Sequence, residues 1–118
     1  MDFGTGQAGE KHIAKLLKHH GYRILEQNYH SRFGEIDIIA ENDQYIVFVE
    51  VKTREKGGLV APFEAITPEK QRRLILTAED YLAKYNVTTQ PRFDAAAVYT
   101  ERGKIVGEEY LENAFGVG

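Results

Sequence analysis

The sequence predicts a single α/β domain, a mixed sheet flanked by helices, with the element order α-β-β-β-α-β-β. Three observations carry that prediction. Apolar residues near the N-terminus recur at helical spacing, two apolar strand-like runs flank a turn at Asn42-Asp43, and a second helix with a clear start precedes two more strand-like runs. Residues 1–118 hold no repeat, low-complexity segment or linker, and a 42% apolar fraction is enough to bury one core.

The first helix is read from Gln7 to His20. Glu10, Ile13, Ala14, Leu17 and Gly21 fall on one face of a 3.6-residue period, and Gly21 can end the helix in a left-handed conformation. Arg23 to Tyr29 reads as extended. Gly34 then leads into the strand Glu35-Ile36-Asp37-Ile38-Ile39-Ala40. Tyr45 to Val51, rich in β-branched and aromatic residues, makes its antiparallel partner, so residues 35–54 form a hairpin. Gly57, Gly58 and Pro62 mark residues 55–66 as a loop of the kind that often meets substrate. Thr67-Pro68, an N-cap followed by proline, opens a helix to Tyr85 with Ile75, Ala78 and Leu82 facing inward. Arg92 to Tyr99 is the next strand, and Glu101-Arg102-Gly103-Lys104 turns it into Ile105-Val106.

Composition narrows the function classes. The absence of cysteine excludes a disulfide framework and thiolate zinc sites, and it suits a reducing compartment. MDFGTGQAGE has neither a basic segment nor an apolar h-region, and no stretch approaches the roughly 20 apolar residues that span a bilayer, so a cytoplasmic location without a membrane span is expected. A net charge of −3 argues against a protein that simply coats nucleic acid. The charge is uneven, however. Residues 11–32 carry Lys11, Lys15, Lys18, Arg23 and Arg32 against Glu26 alone, whereas residues 101–118 are acidic.

Two motifs are set aside. Gly4-Thr5-Gly6-Gln7-Ala8-Gly9 matches the dinucleotide fingerprint in form, but that fingerprint needs a preceding strand and only three residues precede Gly4. No nucleotide cofactor is expected, and the glycines read as a flexible lead into the first helix. His12, His19, His20 and His30 lack carboxylate company and ligand spacing, so they read as solvated surface groups.

Glu50-Val51-Lys52 lies in a strand that otherwise reads as core. Side chains alternate along a strand, so Glu50 and Lys52 share a face that Val49 and Val51 do not. On the partner strand Asp37 shares a face with Glu35, Ile36 and Ile38 oppose it, and pairing about Asn42-Asp43 brings Asp37 near Glu50. Glu10, one turn before Ile13 and Ala14 on the apolar face of the first helix, is a third acid. Three carboxylates against Lys52 leave the cluster short of positive charge. Oxygen ligands select a hard dication, so Mg²⁺, with Mn²⁺ as a substitute, is expected on Glu10, Asp37 and Glu50. Such a site suits phosphodiester hydrolysis, with Lys52 orienting water or stabilising transition-state charge. A Glu-x-Lys pair is common by chance; Glu10 as an exposed helix residue, and Asp37 paired to Arg54 or Arg92, are the bland alternatives.

The runs Gly34 to Ala40, Phe48-Val49-Glu50-Val51-Lys52-Thr53-Arg54 and Arg92-Phe93-Asp94 closely resemble the bacterial YraN family of uncharacterised proteins, from Gly9-Glu10 to Asn113-Ala114-Phe115. That family resembles a branch of the PD-(D/E)XK nuclease superfamily. The resemblance implies a restriction-endonuclease-like fold with an αβββαβ core, related to the archaeal Holliday junction resolvases. There a helix Glu, a strand Asp and a Glu-x-Lys pair form the metal site, matching Glu10, Asp37, Glu50 and Lys52. The chain departs from the family in having His30-Ser31-Arg32 where an Arg-x-Arg stretch is usual, and from the basic resolvases in being acidic.

The leading expectation is a Mg²⁺-dependent endonuclease acting on DNA, with branched, junction-like substrates implied by the kinship. Arg32, Arg54, Lys70 and Arg73 are the expected phosphate contacts. The rival is a non-catalytic nucleic-acid-binding or protein-interaction module on the same fold, which the low net charge favours. Symmetric cutting of a junction needs two sites, so a homodimer is expected, with Val60, Phe63, Tyr110, Leu111 and Phe115 as candidate interface residues.

Overall fold

Helix α1 (Phe3–His19) is followed by strands β1 (Arg23–Ser31), β2 (Gly34–Glu41) and β3 (Tyr45–Glu55), a 3₁₀ turn (Pro62–Ala65), helix α2 (Pro68–Tyr85), and strands β4 (Gln90–Glu101) and β5 (Lys104–Phe115). These belong to a computed structural model that describes residues 3–58 and 61–116. The five strands form one sheet in the order β1-β2-β3-β4-β5. Only β3 and β4 pair in parallel; the other neighbours are antiparallel. Antiparallel neighbours need only short turns, whereas a parallel pair needs a crossover, and α2 supplies it. The mixed sheet flanked by two helices is the expected α/β class and is compatible with a restriction-endonuclease-like αβββαβ core.

Two packed layers cover the sheet. Ile13, Ala14 and Leu17 of α1 pack on Ile38, Ala40, Val47, Val49, Ala96 and Val98. Leu74, Ala78 and Tyr81 of α2 pack on Ile36, Ile39, Ile46, Phe48, Phe93 and Ala95. Alternation along β3 therefore assigns Val47 and Val49 to the α1 layer and Ile46 and Phe48 to the α2 layer. The same alternation breaks in β2. Ile36 and Ile38, expected on one side, join different layers, so the strand is irregular around Asp37. The β2–β3 ladder runs from Glu41–Ile46 to Ile38–Val49, while β3 continues against β4 as far as Glu55–Thr100. A fork between β2 and β3 opens just past Val49.

Two boundaries differ from expectation. Helix α1 begins at Phe3, so the glycine run is helical and not a flexible lead; the helix still has no strand before it among the described residues. A Cβ on buried Gly9 would collide with Thr53 Oγ1 and reach 3.6 Å from Val98 Cβ, so α1 lies directly against β3 and β4 at this point. Tertiary packing of that kind overrides the weak helix propensity of glycine. Strand β5 extends to Phe115 instead of stopping near Val106. Its polar residues are tolerated because it is an edge strand with one solvated face.

Asp94 is fully buried, and its partners account for it. Arg92 holds it through Nε and Nη2 at 2.9 and 2.8 Å, Tyr110 donates to Oδ2 at 2.6 Å, and the Asn113 backbone N–H donates to Oδ1 at 2.9 Å. Tyr22 joins the network through the Arg92 guanidinium at 2.9 Å. These bonds fasten the end of β5 to the sheet and to the residues following α1. Among the candidate interface residues, Tyr110 is committed to this network, and Phe63 and Phe115 pack against the α2 layer. Leu111 is exposed, and Val60 lies outside the described residues. Among the described residues no helix is long and apolar enough to cross a membrane.

Candidate metal centre

The fork between β2 and β3 gathers the chemistry. Where the ladder stops, the Val51 backbone N–H has lost its strand partner and donates instead to Asp37 Oδ2 at 2.8 Å. The local break in β2 thus turns a side chain into the acceptor that a carbonyl supplies elsewhere. Glu50, one residue earlier on β3, is buried on the same side as Phe48 and shares a hydrogen bond with Asp37. The hairpin pairing deduced from Asn42-Asp43 places these two acids together as expected.

Two carboxyls in such contact, Glu50 buried and Asp37 half-buried, favour a single proton between them. Burial, reinforced by the adjacent Glu50, pushes Asp37 up to about 8. Burial also acts to raise Glu50, but the hydrogen bond from Asp37 and the ammonium groups of Lys70 and Lys52 outweigh it and hold Glu50 low. Glu50 is therefore the anion of the pair. Burial and the neighbouring Lys70 depress the Lys52 ammonium.

Lys52 Nζ stands 3.5 Å from Glu50 Oε2, on the same face of β3, as alternation predicts. The surprise is Lys70, whose Nζ lies 2.5 Å from the same oxygen. Lys70 occupies the first turn of α2, where its backbone N–H is capped by Thr67 Oγ1 at 3.2 Å, so the cap that starts the helix also fixes the root of this side chain. Despite the two ammonium groups, buried Glu50 Oε2 makes no hydrogen bond of acceptable geometry.

Glu10 approaches from α1, in the other layer. It is half-buried, its carboxyl is raised by burial with smaller contributions from Glu35 and Glu50, and the Asn28 amide acts in the opposite direction. Its charge also acts on Asp37. The structure thus joins Asp37, Glu50 and Lys52, adds Lys70, and leaves Glu10 beside them. No three acidic or histidine side chains among the described residues stand close enough to hold an ion together. The donor set nonetheless fits a hard cation. It offers a buried carboxylate oxygen on Glu50 that is met by cationic groups, a second carboxyl whose proton a cation would replace, and a third acid within electrostatic reach.

The basic residues divide between two clefts. Arg32, Lys70 and Arg73 line one of about 670 Å³ between the β1–β2 turn and the start of α2, together with His30, Glu35, Glu69 and Thr67. Arg54 lines another of about 490 Å³ with Glu10, Lys52 and Thr53. Arg73 is paired with Glu69 at 2.7 Å, and Arg32 lies over the Phe33 ring. Neither Arg54 nor Arg92 is the partner of Asp37: Arg54 donates to the Thr53 carbonyl and Arg92 holds Asp94. Two histidines do have carboxylate company, contrary to expectation, His12 with Glu108 at 2.6 Å and His30 with Glu35 at 2.8 Å.

Three features escaped the sequence reading. Asn28, at φ 54°, lies between the pairs Gln27–Ile38 and Tyr29–Ile36 and turns its amide toward Glu10; an asparagine inside a strand run was its only local sign. The sequence marks Lys70 only as a phosphate contact, although a lysine three residues after an N-cap faces whatever the helix start approaches. Asp94 was visible as an acid amid Phe93 and Ala95-Ala96-Ala97-Val98, a position that demands buried partners.

Comparison with other sequences adds kinship. The sequence profile of the uncharacterised protein family UPF0102 matches residues 9–98. A UPF0102 protein of Caldanaerobacter subterraneus is 42% identical over 114 residues, covering 94% of this chain and 93% of its own. One of Alkaliphilus metalliredigens is 40% identical over 116 residues, covering 98% and 100%. One of Dichelobacter nodosus is 49% identical over 94 residues, covering 79% and 75%. The matched span begins at Gly9 and takes in the α1–β3 contact, the fork and the first turn of α2. With relatives aligned along nearly its whole length, the chain belongs to the uncharacterised protein family UPF0102, the family to which the YraN resemblance pointed.

Proposed function

We propose that this protein is a Mg²⁺-dependent endonuclease of the PD-(D/E)XK type acting on DNA, with Mn²⁺ able to substitute. The observation that carries the reading is half-buried Asp37 set against buried Glu50 at the fork, flanked by the Lys52 ammonium 3.5 Å from Glu50. A fold that needed only stability would fill this position with apolar side chains, because a shared buried proton is costly to keep. Asp37, Glu50 and Glu10 are the residues that would hold the ion.

The bound ion would polarise the phosphate and lower the pKa of a water. Hydrolysis would add a water oxygen to phosphorus, break one P–O bond to sugar, and leave a phosphomonoester and an alcohol. Lys52 has the place for orienting the water and meeting negative charge on the non-bridging oxygens, and its burial keeps that interaction strong. Asp37 must surrender its proton to act as a ligand. Arg32, Lys70 and Arg73, in the cleft that adjoins Glu50 through Lys70, would bind phosphates flanking the scissile one; Arg54 would do so from the cleft beside Glu10. By kinship, a homodimer acting on branched DNA in the cytoplasm is the form of this proposal in which two sites make paired cuts.

The test is cleavage of labelled linear, flapped and four-way-junction DNA with Mg²⁺ or Mn²⁺, alongside Glu50→Gln. Metal-dependent cuts that vanish in the variant support the proposal. One observation favours the rival, a non-catalytic binding module: Lys70 sits on Glu50. Absence of cleavage on every substrate with either metal, in a protein that still binds DNA, would establish that second reading.

A further inference from the structure

Glu50 Oε2 has two ammonium groups within reach, and they come from different parts of the fold. Lys52 is rooted two residues away on the same strand and shares the face of Glu50. Lys70 comes from the first turn of α2, reaches Glu50 at 2.5 Å, and also lines the open cleft shared with Arg32, Arg73 and Thr67. Its side chain is about a third exposed, against 18% for Lys52 and 5% for Glu50. A long flexible side chain rooted between a buried carboxylate and an open cleft that carries Arg32 and Arg73 beside Glu35 and Glu69 has two places to put its charge. In the first it neutralises Glu50. In the second it adds to a phosphate-binding surface.

We propose that Lys70 is a displaceable counter-ion: it occupies Glu50 until a divalent cation takes that oxygen, and its ammonium then turns into the cleft beside Arg32 and Arg73 to receive a nucleic-acid phosphate. This deepens the metal-dependent reading above and rests on it. Charge requires the exchange. Glu50 cannot keep a tight ammonium contact and lend the same buried oxygen to a dication, because two cations on one oxygen repel at short range. Lys70 is the closer of the two ammonium groups on Oε2, and it is the one whose side chain also reaches the open cleft, as a place-holder requires. Arg73, one turn further along α2, carries the same charge into the same cleft but is occupied by Glu69 and does not touch Glu50. It is the natural control. Because the exchange ties the two sites together, cation binding must favour phosphate binding and phosphate binding must favour the cation.

The experiment is Mn²⁺ titration by calorimetry of the whole chain as wild type, Lys70→Gln, Lys70→Arg, Arg73→Gln and Asp37→Asn. Removing the competing ammonium should tighten Mn²⁺ binding by about tenfold in Lys70→Gln, within the usual range of coupling between adjacent sites. Arg73→Gln should stay within about twofold, since only distant, screened charge is lost. Lys70→Arg should resemble wild type. Should Lys70→Gln fold poorly, the wild type supplies a second measurement. Acetylation of Lys70 by a lysine-reactive anhydride, read by mass spectrometry, should accelerate severalfold on saturation with Mg²⁺ while that of Lys84 stays constant. Wild-type Mn²⁺ binding with an unchanged or weaker Lys70→Gln, or Mg²⁺ that leaves Lys70 reactivity unaltered, overturns the counter-ion proposal and leaves the metal site standing. Absence of Mn²⁺ binding in the wild type overturns both and makes Lys70 a permanent structural partner of Glu50.

Discussion

Asp37→Asn is the substitution whose outcome the geometry constrains most tightly. The amide oxygen of asparagine can accept the Val51 N–H that Asp37 Oδ2 now accepts at 2.8 Å, and its NH₂ can donate to Glu50, so shape and hydrogen bonds survive while the titrating group is lost. Asp37 is raised from its ordinary 3.8 to about 8 by burial and by Glu50. A carboxyl raised on folding contributes stability that is fully present below its unfolded pKa and is lost as pH climbs through the folded value. The window is therefore pH 4 to 8. At roughly 1.4 kcal/mol for each pH unit the whole interval is worth about 6 kcal/mol as a ceiling. Sharing the proton with Glu50 divides that between two groups, leaving about 2–3 kcal/mol at Asp37. In metal-free buffer, Asp37→Asn should match wild type near pH 4 and exceed its stability by about 2–3 kcal/mol at pH 9, roughly 8–12 °C in Tm for a domain of this size. Urea or thermal melts at half-unit pH intervals in chelator measure it. A difference that is constant with pH, or a variant less stable than wild type at pH 9, would refute the raised carboxyl and with it the shared proton.

Other outcomes follow from single contacts. Lys52→Ala should retain Mn²⁺ binding and lose cleavage, because Lys52 acts on the water and the phosphate; loss of both together would assign it a structural role. Gly9→Ala should cost about 1–3 kcal/mol, since the added methyl drives α1 off β3 at Thr53, and Gly9→Ala with Thr53→Ser should recover none of that while Thr53→Ala should recover part, as denaturant melts can show. Arg92→Ala should destabilise by about 3–5 kcal/mol by stranding Asp94, with Tyr110→Phe nearer 1–2 kcal/mol. In DNA-binding titrations, Arg32→Ala with Arg73→Ala should lower affinity on every sequence and reduce the magnitude of the salt slope by about 2; an unchanged slope removes that cleft from the interface.

What the sequence determined by itself was whatever depends on neighbours along the chain. Period 3.6 in α1, the Thr67-Pro68 cap of α2, the Asn42-Asp43 turn and the alternation of Glu50 and Lys52 are local, and each names its element from a handful of adjacent residues. The Asp37–Glu50 pairing was legible for the same reason, since a hairpin's register is set by its own turn. Tertiary structure decided the rest. Helix α1 extends through Gly4 to Gly9 because Gly9 must lie against Thr53 and Val98, and β5 reaches Phe115 because β4 offers it a ladder to pair with. The break at Asp37 that separates Ile36 from Ile38 arises where β2 parts from β3, a divergence invisible in the strand's own pattern. Lys70 meets Glu50 across 20 positions of chain only because the parallel pairing of β3 and β4 obliges α2 to cross over that face of the sheet. Long-range contacts of this kind are set by how layers stack, and the energy that stacks them is spread over the whole core instead of being written in any one segment.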